Sequence, residues 1–258
     1  VTGFSVNRQN NLAAFAIDTV GRNIFTLRVK DLNTGSMLKD EVPRVTGNFV
    51  WAEDGRTLFY TRQDPQTLRP YQVYRHTIGT SAEADALVYE EKDETFNCSV
   101  SKTRSKKYLV ITSRQTVSTE CRYLEAGNPA GEFRLFAPRR RDHEYSIDHI
   151  GDHFYIRTNE QAKNFRLMKS AENATAETNW QDVIAHREDV LLEDFTLFKE
   201  NLVIQERRGG LPHLRVIPWS NEPEHEIELG EAAYSVAAAP IPEADTAVLR
   251  YVYTSLTT

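Results

Sequence analysis

The chain has 258 residues, 40% hydrophobic and 26% charged, enough to bury a substantial core in one or two domains. Its 37 acidic against 31 basic residues leave a formal net charge of -6, which argues against a nucleic-acid binder, whose affinity rests on an excess of cations. Cys98 and Cys121 are the only cysteines, too few for a disulfide framework or a structural zinc cluster, so a reduced, cytoplasmic setting is expected.

From the N-terminus, residues 1–10 lack the basic and apolar regions of a signal peptide, and no later apolar run reaches membrane-spanning length. Val1 stands where an initiator Met would, so a portion of something longer is expected. Short apolar runs separated by turn residues then recur along the whole chain, without the three-to-four spacing of an amphipathic helix. First strands are anchored on Phe4, Phe49, Cys98, Ile147, Phe195 and Val236, and recur every 41 to 49 residues. More hydrophobic second strands are predicted at 12–17, 57–61, 108–112, 153–158, 202–205 and 247–253, after turns such as Asn10-Asn11, Asp54-Gly55 and Gly151-Asp152. Third strands fall at 23–30, 72–78, 119–124, 165–169 and 213–217, and weaker outer strands at 37–39, 86–89, 133–136, 180–184 and 226–229. Four strands in each repeat of this length is the pattern of a β-propeller blade. The blades are placed at about 1–43, 44–94, 95–143, 144–190 and 191–231, with a half blade at 232–258.

Five stretches carry a resemblance: 69–80, opening Arg69-Pro70-Tyr71; 89–96, with Glu91 and Asp93; 139–145, with Arg139-Arg140-Arg141-Asp142-His143; 154–159; and 250–255. Together they resemble the propeller domain of oligopeptidase B, also called protease II, in the prolyl oligopeptidase family of serine peptidases. The resemblance implies a seven-bladed all-β propeller of four-stranded antiparallel blades, of which about five and a half are present here. It further implies an α/β-hydrolase domain in the same polypeptide, bearing a Ser/Asp/His triad that cleaves short basic peptides after Arg or Lys. The propeller would gate access to that triad. No cofactor, nucleic acid or membrane is implied.

The chain itself offers no nucleophile: Gly-x-Ser-x-Gly, which places a serine on a tight turn beside backbone donors, does not occur. Asp142-His143, Asp148-His149 and Asp152-His153 have the donor types of a metal site, but 149 and 153 flank a tight hairpin and need no ion. Glu90-Glu91 and Asp93-Glu94 could serve acid/base chemistry if one were buried with a raised pKa, and read otherwise as a solvated loop. Trp51, Trp180 and Trp219 read as packing residues and Gly209-Gly210 as a turn.

In an up-and-down blade the loops from second to third strand and from one blade to the next emerge on the same face. Arg69, Lys163 and Arg207 fall in or beside the first kind of loop, and Glu91, Asp93, Arg139, Arg140, Asp142 and His143 in the second. These nine residues are the candidate contact face toward the hydrolase domain and the substrate filter. The competing reading is a free-standing propeller that serves as a protein-binding scaffold.

Overall fold

Within each sheet every strand pairs antiparallel with its neighbour in the chain, so every sheet is a meander. The computed structural model describes residues 1–220 and 222–256. The chain divides into two compact units, Val1–Arg141 and Asp142–Thr258.

In the first unit β1 (Thr2–Val6), β2 (Leu12–Ile17), β3 (Phe25–Asp31), β4 (Met37–Trp51), β5 (Thr57–Gln63), β6 (Pro70–Thr77) and β7 (Ala86–Glu90) form one sheet. A blade boundary is expected near residue 43, yet β4 runs unbroken through 15 residues. Its first part pairs with β3 as an outer strand and its last part with β5 as an inner one. The bend between these roles needs two glycines. A Cβ on Gly3 would stand 2.2 Å from the Gly47 carbonyl oxygen, and one on Gly47 2.4 Å from a Thr2 methyl, with both residues at positive φ. The registers of β1 and of β4 slip at this crossing.

Four further strands, β8 (Asn97–Lys102), β9 (Tyr108–Gln115), β10 (Ser118–Glu125) and β11 (Arg134–Ala137), complete the unit. The second strands are the most apolar because both of their faces are covered. Leu58 and Tyr60 of β5 pack with Leu27 and Trp51, while Phe59 between them packs with Val73, Leu109 and Ile111. Alternate residues of one strand thus feed two cores, each such side chain contributing about 1.5–3 kcal/mol.

The second unit holds β12 (Tyr145–Ile150), β13 (His153–Thr158), β14 (Arg166–Ala171) and β15 (Gln181–Ile184) in one sheet. A second contains β16 (Val190–Leu197), β17 (Asn201–Arg208), β18 (Leu211–Pro218) and β19 (His225–Glu226), and a third pairs β20 (Tyr234–Ala238) with β21 (Tyr251–Ser255). Tyr155, Leu167, Leu192, Leu197 and Ile204 form its core. Two strands are displaced from their predicted places. β19 covers His225–Glu226 rather than 226–229, paired with Arg215 and Val216, and the Ile227 N–H just beyond it donates to the Leu214 carbonyl at 2.9 Å. β21 starts at Tyr251 rather than 247, because Val236 and Tyr253 set the register of the hairpin. Of the tryptophans, Trp51 and Trp180 are buried and Trp219 is 37% exposed, its indole N–H held by the Phe198 carbonyl.

Candidate functional site

The loops of the first unit meet around Glu91. This residue follows the outer strand β7, and its N–H donates to the Tyr71 carbonyl at 2.7 Å, which turns its side chain inward until it is 3% exposed. The solvated-loop reading of 90–94 is therefore corrected at Glu91. Its Oε1 accepts from the Asp93 N–H at 2.9 Å, and its Oε2 accepts from the Tyr89 hydroxyl at 2.8 Å, the Ser113 hydroxyl and Arg139 Nη2 at 2.5 Å. Burial pushes the carboxyl up, but Arg139, Ser113, the Asp93 amide and Tyr89 outweigh it and hold the pKa at about 2. A carboxylate so firmly ionised is a structural anion, and offers no acid/base chemistry near neutral pH.

Arg139 lies just beyond β11 and spans several groups at once. Its Nε is 3.4 Å from Glu120 Oε2, and its guanidinium lies 4.1 Å over the Phe96 ring. Glu120 also accepts from Arg122 at 2.9 Å. Arg69, in the loop between β5 and β6, donates from Nη1 to the carbonyls of Phe96 at 2.8 Å, Asp93 at 3.2 Å and Glu91 at 3.4 Å. The loop between second and third strands of one blade is thereby fastened to the crossover into the next. Asp93 accepts from the Thr95 hydroxyl at 2.7 Å and from its N–H at 3.0 Å, bonds that lower its pKa and fold the crossover into a turn. The Arg140 carbonyl accepts from the Ser118 hydroxyl at 2.9 Å, leaving the Arg140 side chain exposed. Arg69, Glu91, Asp93 and Arg139 are therefore joined in one hydrogen-bonded network, with exposed Arg140 next to it in sequence.

The other four candidates lie in the second unit. Asp142 is exposed, and its carbonyl accepts from Asn159 Nδ2 at 3.0 Å. His143 is buried, with Nε2 3.1 Å from the Thr158 hydroxyl and its ring stacked on Tyr145, so it supports the loop from beneath. Lys163 pairs with Glu188 at 2.6 Å, both on the surface. Arg207 pairs with Glu193 at 2.5 Å and donates to the Gly210 carbonyl at 3.0 Å across the turn. His149 is fully buried, with Nε2 3.2 Å from Glu172 Oε2 and its ring against Phe154. Among the described residues no group of three or more His, Cys, Asp or Glu is placed to hold a metal ion.

Four participants around Glu91 are absent from the candidates read in the sequence: Tyr89, Ser113, Glu120 and Arg122. Glu120 and Arg122 are two apart on β10 and share a face, a signal that strand alternation contains. Tyr89 opens the stretch 89–96 but carries no charge, and Ser113 is a neutral strand residue that nothing local distinguishes.

Residues 1–258 match the family profile described as prolyl oligopeptidase, N-terminal beta-propeller domain. Dipeptidyl aminopeptidase BI of Pseudoxanthomonas mexicana is 43% identical over 259 residues, and Protease 2 of Moraxella lacunata 31% identical over 260; each alignment covers the whole chain. The chain spans 36% and 37% of the lengths of these two relatives. Oligopeptidase B from Leishmania major superimposes with a TM-score of 0.91 at 26% identity, over the whole of this chain and 37% of that one.

Proposed function

The chain belongs to the prolyl oligopeptidase family as its N-terminal propeller domain, and from that premise we propose that it is the noncatalytic gating portion of an oligopeptidase B-like serine endopeptidase of the cytoplasm. In this role the loops around Glu91 and Arg139 face the hydrolase domain of the same polypeptide and limit entry to short peptides cleaved after Arg or Lys. The observation that carries the proposal is the fastening of adjacent loops by Arg69, Glu91 and Arg139. A filter works only if its rim is stiff, and charged and polar side chains here are used to stiffen loops on an already rigid scaffold. Arg140 and Asp142 are exposed beside these loops.

The test is made in the full-length protein with Arg140→Glu and Asp142→Arg. Expected is a fall of about tenfold in kcat/KM for a blocked Arg-terminated short peptide, with gain of cleavage of longer chains, as charge reversal at an interface disturbs docking. Unchanged activity and unchanged size selectivity in both variants refute the gating role.

A second reading of the reaction is favoured by the 43% identity to a relative named dipeptidyl aminopeptidase BI. Under it the whole protein removes dipeptides from free N-termini. An N-terminally blocked substrate separates the two readings: the endopeptidase cleaves it and the aminopeptidase does not.

A further inference from the structure

Away from these loops, the first unit contains a cleft of about 830 Å³, lined by Lys39 and Asp40 of β4, Arg62 of β5, Tyr74 of β6, and Glu83 and Asp85 of the following turn. Its buried carboxylates already have partners. Fully buried His76 lies with Nδ1 2.7 Å from Asp85 Oδ1 and Nε2 3.1 Å from Asp40 Oδ1. The Tyr60 hydroxyl donates to Asp85 at 2.8 Å, and the Gly79 N–H to Asp40 at 2.5 Å.

Arg62 is arranged differently. Its guanidinium lies 4.3 Å over the Tyr74 ring and 5.6 Å from the Tyr60 ring, and these two rings are themselves stacked. Its Nε is buried and has no hydrogen-bond acceptor. No carboxylate among the described residues pairs with it, although four acidic residues line the same cleft: Asp40, Glu41, Glu83 and Asp85. Stacking uses the flat face of a guanidinium and leaves its fork edge for a planar oxyanion. The acidic lining repels a polyanion. It suits a ligand that brings an ammonium together with its carboxylate, with the exposed Glu83 at the rim to meet the cation.

We propose that this cleft binds a small zwitterion, a free amino acid or dipeptide, with the ligand carboxylate on the fork of Arg62. This site is independent of the gating role. It assigns Arg62 a recognition function that stacking on Tyr74 alone does not require.

Dialanine and its C-terminal amide are titrated onto the full chain, with binding followed by NMR shifts of the cleft residues. Expected is saturable binding of dialanine in the millimolar range, with about tenfold weaker binding of the amide, which lacks the oxyanion that the guanidinium fork recognises. Arg62→Gln is expected to weaken dialanine to the level of the amide while leaving the remaining shifts of the cleft in place. Equal affinity for dialanine and its amide, or no saturation by dialanine, overturns the proposal. Both outcomes are read on the unsubstituted chain, so the result stands even where Arg62→Gln fails to fold.

Discussion

Glu91 in the first unit and Glu206 in the second are both buried carboxylates, each gripped by an arginine from the loop that follows a blade's outer strand. Arg139 comes after β11 and Arg187 after β15. Glu91 collects its bonds from mixed sources: one guanidinium, two hydroxyls and a backbone amide, distributed over both oxygens. Glu206, whose side chain is 0% exposed, relies on arginines alone. Its Oε2 takes Arg187 and, at 3.3 Å, Arg215, while its Oε1 has no hydrogen bond and lies 4.0 Å from Arg208. A buried charge thus has two routes to stability in this chain. Neutral local donors make the anion tolerant of losing any one partner, whereas a set of cations leaves it dependent on each.

The largest expected effect breaks that symmetry. Arg187→Ala leaves Glu206 buried with a single hydrogen-bonding arginine and should cost about 4 kcal/mol, whereas Arg139→Ala leaves three neutral donors on Glu91 and should cost about 2 kcal/mol. Urea unfolding of both variants measures the difference. Equal losses, or the reverse order, would show that neutral donors do not substitute for the arginine.

Acid tests the same contrast next. The carboxyl of Glu91 is depressed from its ordinary 4.5 to about 2, so its contribution to stability is complete above 4.5 and is lost as the pH falls through about 2, a change of about 3 kcal/mol. Glu91→Gln should flatten this limb of the stability curve between those values. An unaltered acid limb would mean that other carboxylates control it.

The repeat was legible because β2, β5, β9, β13 and β17 bury both faces and so appear as unbroken apolar runs. The fusion of two blades through β4 was not, since the blade boundary read near residue 43 falls inside that strand, and the Gly3 and Gly47 crossing that bends the chain is set by contact between distant segments. Arg69, Glu91 and Arg139 stood out as charges in turn-flanked loops. The burial of Glu91 did not, because it depends on Ser113, 22 residues away, and on Arg139, 48 residues away. Glu206 was hidden by a boundary: ending the strand at 205 assigns it to a loop, whereas β17 continues to Arg208 and places it inside.

The smallest expected effect concerns Arg69, which holds the same crossover as Glu91 through carbonyls instead of a carboxylate. Three carbonyls that lose this donor are close enough to the surface to be rehydrated, so Arg69→Gln should cost only about 1 kcal/mol of global stability. The local consequence should be larger than the global one. Amide exchange at 93–96 is expected to accelerate while exchange in β5 and β9 stays unchanged, because the turn loses its tether and the two cores beside it do not. Equal acceleration in the strands would place Arg69 within the cooperative core. Exchange confined to the turn would separate the two tethers of this crossover, with Glu91 fixing its fold and Arg69 its stiffness.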